Sequence, residues 1–578
     1  MSKENNDLDN DQDKEFVAKY KAALRAKLSR EEFAAYQEVL PNSIVRRRLS
    51  ISTRTGLDLV LLESDSEFDG AVDLEKIEKF EKYYKEILDS HHGPQTMDYS
   101  SSNKKQVYII TAAQNATRIH QGFFSALLQY KEYRNAELIV IPYRYRNPAS
   151  VWMGADKKSD WWWEPLRPFI LENQVKLCDG LEIMGQIKMQ PTATTPLSGL
   201  DTITGVNSAV FGHPKIQLKT VPTPQSKLPK ILTTTGSCTE ENYTDTKTGH
   251  KGKFHHNISA LIVEVDGDKF HMRHVHGDED GSFYDLEYYY TPRSRSKYGR
   301  VIGLIPGDIH AEFIDKKVES ALFTGPDSIV GVLDPKFHVY HDIEDFYARN
   351  HHHKNNDVIA YGKHHYGRNN VQDGLQISAD FIDRHTRPNM FNYIPRPNHD
   401  EAFDRWLQEG DPKLDPENAR FYHYMKFNQY GHVEMTDTGF STFNAFEWWC
   451  KNPLNKKGLQ AIEQTKFLQR DQHLFIGGIE IELGFHGDQG NNGGRGSINS
   501  FAKIGPKSVI GHSHSPGIVE GVYQVGVTGR LDLEYASGPS SWMHTHCIIY
   551  PNGSRALINV VGGEWRASYY DKEHDITS

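Results

Sequence analysis

Five short apolar runs in the second half of the chain each lead into side chains able to hold a metal ion, and this recurrence constrains the fold most. Val301–Ile305 leads through Pro306-Gly307 to Asp308 and His310. Phe337-His338-Val339-Tyr340-His341 ends at Asp342, with Asp345 three residues on. Asn392-Tyr393-Ile394 leads to Asn398-His399-Asp400, Ile479–Phe485 to His486, and Val509-Ile510 to Gly511-His512-Ser513-His514. Runs of this length read as buried strands. Side chains just beyond the carboxyl ends of strands in an open α/β sheet face a common crevice. Helical patterns near 371–385 and over Glu401–Leu407 separate the runs, so the fold class is α/β, with an α+β element. Each pair alone is a weak signal, and scattered structural histidines and caps are the alternative for the whole set. Asp345 and Asp400 read equally well as site residues or as caps.

The chain carries 29 histidines in 578 residues, and not all fall on these runs. His274 and His276 alternate onto one strand face, where hydrogen-bonded or surface residues are the simpler reading than a weak metal site. His255-His256 and His271 lie in the same β-rich stretch. His351–His353 and His364-His365 read as exposed loop, and His544 and His546 as strand residues. The glycine-rich loop Gly490–Gly496 either brings backbone N–H groups to a phosphate, with Arg495 as an anion contact, or is a turn after its strand. No Ser-His-Asp or Cys-His nucleophile set is present.

A formal charge of −10 gives no global attraction to nucleic acid. Contact with it would need local patches such as Arg46-Arg47-Arg48, Arg144 with Arg146, or Arg293, Arg295, Lys297 and Arg300. A solvated surface is the simpler reading of each patch. Four scattered cysteines, never as CxxC, exclude a zinc ribbon and suggest a reducing compartment. The polar, acidic N-terminus is unlike a signal peptide, and no apolar run approaches a membrane span. The expected compartment is cytoplasmic, that of the host cell if the chain is phage-encoded, with no membrane partner.

The chain divides on composition into five segments. Residues 1–13 form an acidic tail expected to be disordered. Residues 14–100 are helical, with a capping box at Ser29 and Glu32 and an amphipathic helix over 73–89. Residues 101–298 form an α/β accessory domain containing a βαβ unit: strand from Val107, helix from Gly122 to Tyr133, strand to Ile141. Residues 299–566 carry the chemistry, and 567–578 form a tail. The first βα turn lacks a glycine-rich nucleotide fingerprint.

The order DxH, D, NHD, H, GHxH resembles the calcineurin-like metallophosphoesterase superfamily, whose pattern is DxH, GDxxD, GNH[DE], H and GHxH. The resemblance covers about 300–566 and implies a β-sandwich flanked by helices. His341 and Pro397 stand where that pattern has glycine. Carried over, the resemblance implies one metal on Asp308, His310, Asp342 and His514, and a second on Asp342, Asn398, His486 and His512. Asp342 would bridge them. The mixed nitrogen and oxygen set, without thiolate, suits two divalent ions: manganese, with iron or zinc as alternatives. A metal-activated hydroxide would attack phosphate in line. His399 would protonate the leaving oxygen or stabilise charge, with Asp400 orienting it.

Longer stretches, among them ITAAQNATRIH, LPKILTTTGSCTEENYTDTKTGHKGKFHH and GHSHSPGIVEGVYQVG, look like a phage-encoded branch of this superfamily. That branch is the pre-early host-takeover proteins of tequintavirus type, associated with host DNA degradation. The resemblance implies a manganese-dependent DNase whose catalytic domain is similar to Mre-type nucleases. DNA would be the substrate, and a large N-terminal half without its own chemistry makes a homo-oligomer an expectation. The alternatives are a phosphatase or nucleotidase acting on a small substrate, and a non-catalytic regulatory binding protein.

Overall fold

Strand Lys105–Gln114, helix Gln121–Tyr133 and strand Glu137–Tyr143 form the βαβ unit expected from sequence, and the two strands pair in parallel. The His120 ring caps the helix by accepting the N–H of Phe123, and Phe123, Phe124, Leu127 and Leu128 are buried. The computed structural model describes residues 105–145 and 162–567, apart from 226, 351–352, 354–355, 438, 477 and 534–537. The expected tail 1–13, the helical segment 14–100 with its 73–89 helix, and residues 568–578 lie outside the described residues.

The antiparallel hairpin Ser259–Asp266 and Lys269–His276 completes a four-stranded sheet with the βαβ unit. Buried charges are satisfied within this region. Glu264 accepts from Arg273 at 2.8 Å and from Arg134 at 3.2 Å. Arg273 also grips Asp285, at 2.5 and 2.8 Å, and Tyr130 donates to the same carboxylate at 2.9 Å. The N–H of Ala567 donates to Glu264 at 3.0 Å, so the start of the expected C-terminal tail is fastened to this core.

A six-stranded sheet holds the first three ligand-bearing runs. Its order is Thr465–Phe467, Phe391–Ile394, Phe337–Val339, Gly303–Ile305, Thr545–Ile549, Arg555–Asn559. The first four are mutually parallel and the last two antiparallel. Side chains alternate faces along a strand. Leu304, Ile548, Ala556 and Ile558 pack with residues of helices Lys316–Phe323, Val371–His385 and Asp400–Glu409. Ile305, Phe337, Val339, Cys547, Ile549 and Leu557 face a second apolar layer containing Val210, Leu218, Val509 and Tyr523.

Those last four residues belong to a nine-stranded sheet. Its order runs Ile481–Glu482, Lys507–Ile510, Val522–Gln524, Gly517–Val519, Gln217–Val221, Lys230–Thr234, Ser208–Phe211, Leu181–Met184, Gln174–Cys178. Gly517–Val519 pairs antiparallel with Gln217–Lys219, and the Lys215–Glu520 ion pair at 3.0 Å sits beside the seam. The sheet therefore draws strands from both sides of the 298/299 division expected from sequence.

Three local expectations are corrected. The run Ile479–Phe485 pairs as a strand only over Ile481–Glu482, because the Glu482 carboxylate takes the N–H groups of Leu474 and Gly484 in place of a ladder partner. His364 and His365 end a helix, Asp357–His365, capped by the Asn356 side chain, rather than lying in a loop. The β-rich stretch also contains helix Lys247–Phe254, after which His255 follows as its cap. None of the four cysteines is in a disulfide, and all are buried. Among the described residues no helix is long and apolar enough to cross a membrane.

Candidate metal centre

The parallel strands of both sheets deliver the candidate ligands from their carboxyl ends. Asp308 and His310 follow Gly303–Ile305, Asp342 follows Phe337–Val339, and Asn398 and His399 follow Phe391–Ile394. His486 follows Ile481–Glu482, and His512 and His514 follow Lys507–Ile510. Neighbouring loops fasten these turns together. The N–H groups of Ile309 and His310 donate to the carbonyls of His341 and Asp342, and Gly511 N–H donates to the carbonyl of His486. Gly511 is required by space, since a Cβ there would lie 2.2 Å from Asp308 Oδ1.

Three groups result, in each of which the ligand atoms lie within 4.8 Å of one another. One is Asp308, His310, Asp342 and His514, and another is Asp342, His486 and His512. Asp342 belongs to both. Asn398 joins the second group, its Oδ1 lying 3.0 Å from His512 Nδ1. The third is His310, Asp345 and His399, with the rings of His310 and His399 5.1 Å apart, edge to face. All seven sequence-expected ligands are thus brought together, with His399 beside them. Asp400 is the first residue of its helix, but its side chain lies outside the described residues. Arg495 is exposed on the glycine-rich loop and belongs to none of the three groups.

The donor set fits a cation. Asp308 Oδ1 and Asp342 Oδ1 are buried with no hydrogen-bond partner. Buried polar atoms without partners are uncommon and call for an explanation, of which an ion is one. His310 Nε2 and His514 Nε2 converge to 2.9 Å. Two adjacent imidazole ligands at about 2.1 Å from an octahedral ion would lie about 3 Å apart. The backbone is strained at the same points: φ is +49° at His310, +41° at Asp342, +72° at His512 and +57° at His514. Left-handed conformations at non-glycine residues cost roughly 1–3 kcal/mol each and cluster at functional sites.

Charge follows the same geometry. Burial would push Asp342 up, but His486, His399 and His310 outweigh it and hold the carboxyl well below its ordinary range. Asp308 is likewise held down against burial, chiefly by His514. Burial would lower His310 and His486, but Asp345 raises the first to about 9 and Asp342 the second to about 9. A cation bound among these groups would compete with protons on the histidine rings.

Asp345 supplies what its DxxD spacing alone did not establish. It accepts the Nδ1–H of His310 at 2.8 Å, which leaves Nε2 free to face the cluster. A carboxylate behind a histidine ligand fixes its tautomer and raises its basicity, and losing one typically costs 10–100-fold in metal affinity. Asp345→Asn is expected to weaken divalent-metal binding by about that factor; calorimetric titration of the metal-free protein would measure it, and an unchanged affinity would remove this role from Asp345. Two further neighbours brace the cluster, one of them His546, which the sequence marks only as a strand residue. Trp542 packs edge-on against His514 at 4.3 Å, and His546 Nδ1 accepts the N–H of Gly307 at 3.0 Å, bracing the turn before Asp308.

The histidines of the β-rich stretch lie in hydrogen bonds away from the cluster. His274 is buried and hydrogen-bonds the carbonyl of Thr234 at 2.7 Å, while His276 meets the Tyr523 hydroxyl at 3.1 Å. His271 lies 3.3 Å from the carbonyl of Asn559. His256 is held between Tyr243 and the carbonyl of Thr239.

No family model matches the chain, and no solved structure matches it. The chain is similar to Protein A1 of Escherichia phage T5, at 36% identity over 473 residues, which cover 80% of this chain and 83% of that protein.

Proposed function

The chain belongs to the family of Protein A1 of Escherichia phage T5, and from that membership and the shared Asp342 we propose that it is a two-metal phosphodiesterase. In this reading it is a manganese-dependent DNase of the calcineurin-like superfamily that degrades host DNA in the infected cell. The observation that carries the hydrolytic reading is a buried carboxylate common to two ligand groups. Such sharing holds two cations about 3.5–4 Å apart, the spacing of two-metal phosphoester chemistry. The choice of DNA rests on the family and on the resemblance read in the sequence. Residues 299–566 would form the catalytic domain, with 101–298 accessory to it.

Two divalent ions, when bound, supply an activated water and neutralise charge on the phosphoryl oxygens. The chain's own residues do the rest. Asp308, His310 and His514 would hold one ion and Asn398, His486 and His512 the other, with Asp342 common to both. Asp345 keeps His310 in the tautomer that presents Nε2. His399, half-buried beside the His310 ring, would hand a proton to the leaving oxygen, with Asp400 assigned to orient it. Arg495 would steady a neighbouring phosphate on the exposed loop.

The test offers a plasmid, a single-stranded oligonucleotide and a chromogenic phosphate monoester to the protein, each with manganese and with chelator. Metal-dependent plasmid cleavage is expected, lost in Asp308→Asn and slowed about 10²–10⁴-fold in His399→Ala. Activity confined to the monoester would replace the nuclease with a phosphatase or nucleotidase. Metal bound with no turnover of any substrate would leave a regulatory binding protein.

A further inference from the structure

A histidine that ligates a metal nearly always donates its second ring N–H to a carboxylate, a carbonyl or water. His310 does so to Asp345. His486 does not have a carboxylate there. Its Nε2 faces the Asp342 carboxylate, 3.1 Å from Oδ2, and its Nδ1 lies 3.3 Å from Nδ1 of His341. The two rings are 5.3 Å apart and both are fully buried. Among the described residues His341 is the partner of that nitrogen. The superfamily pattern has glycine at this position, which offers no side chain at all.

From this geometry we infer that His341 is a positioning residue, accepting the Nδ1–H of His486 and so aiming its Nε2 at the Asp342 side of the cluster. Only one assignment of hydrogens serves a cation. If Nε2 of His486 is the ligand, its Nδ1 carries hydrogen and His341 Nδ1 must accept it. His341 then carries its own hydrogen on Nε2, and that atom is buried with no partner. An imidazole kept only to fill space would make this a poor choice, since an apolar side chain fills the volume without stranding an N–H. The ring is also fixed in place. The carbonyl of His341 accepts from Ile309 at 3.0 Å, and Gly511 leaves room for the imidazole where a Cβ would lie 3.0 Å from its Cγ.

The inference rests on the two-metal reading, and its test separates the two. Full-length protein is titrated with manganese, following stoichiometry by calorimetry and the ion pair by electron paramagnetic resonance. His341→Leu keeps the volume and removes the acceptor, while His341→Gln restores an acceptor oxygen. The expected result is that Leu weakens one of two bound ions by about 10–100-fold and leaves the isolated-ion signal at intermediate manganese, with Gln recovering the coupled-pair spectrum. If Leu does not fold by circular dichroism, His341→Gly takes its place. Two ions at wild-type affinity in the Leu or Gly variant, or a Gln variant as weak as Leu, would overturn the inference alone. A wild-type protein that binds a single ion would overturn the two-metal reading and this inference with it.

Discussion

If the chain is the proposed two-metal phosphodiesterase, Asp342→Asn is expected to abolish its hydrolysis, by at least about 10³-fold, and to strip it of bound metal. Removing a single preorganised stabilising group costs about 10²–10³ in rate, and this substitution strikes both ligand groups at once. An amide oxygen is a poorer ligand than a carboxylate, and it carries no charge to balance that of bound cations. The loss should therefore appear in metal content before it appears in kinetics. Elemental analysis after dialysis, beside plasmid cleavage over a manganese series, measures both. An Asp342→Asn protein that keeps two equivalents of metal and wild-type cleavage would sink the bridging role.

Arg273→Ala is expected to destabilise the fold by about 3–5 kcal/mol, the cost of breaking a buried ion pair by removing one partner. Arg273 serves Glu264 and Asp285 together, and both carboxylates are fully buried. Without it, Glu264 keeps Arg134 at 3.2 Å and Asp285 keeps the Tyr130 hydroxyl. The pH dependence gives a second signature. Burial would raise the Glu264 carboxyl, but Arg273 and Arg134 outweigh it and hold it at about 2. A carboxyl depressed in the folded state stabilises above its unfolded value of about 4.5 and loses that contribution as pH falls towards 2. The gap between wild type and variant should accordingly be full at neutral pH and shrink below about pH 4.5. Urea unfolding at pH 7 and pH 3 would test this; a gap that widened on acidification would assign the stability elsewhere.

The ligands were legible because each sits within a few residues of its own strand, so local pattern and chemistry coincide at Asp308, Asp342, Asn398, His486 and His512. Their supporting residues were not. Asp345 showed a spacing without a partner, since His310 reaches it only across two loops. His341 read as a replaced glycine, and its meeting with His486 joins residues on two different sheets. The βαβ unit was readable for the same local reason as the ligands. The nine-stranded sheet was not, because pairing Gln217–Lys219 with Gly517–Val519 leaves no periodic trace in either segment. Nor did the charged residues within Lys269–His276 announce that Arg273 would be fully enclosed.

That nine-stranded sheet has a consequence for how such a protein can be inherited or rearranged. The strands that present His486, His512 and His514 are closed along one margin by a short seam to a segment nearly three hundred residues earlier. Severed there, the ligand-bearing half would carry a raw strand edge, a template for pairing with any other chain. It is therefore not a cassette that recombination could lift out and graft onto a new partner. The two stretches of sequence must travel together, and genetic exchange between such chains should find its tolerated crossovers outside the span from 174 to 524.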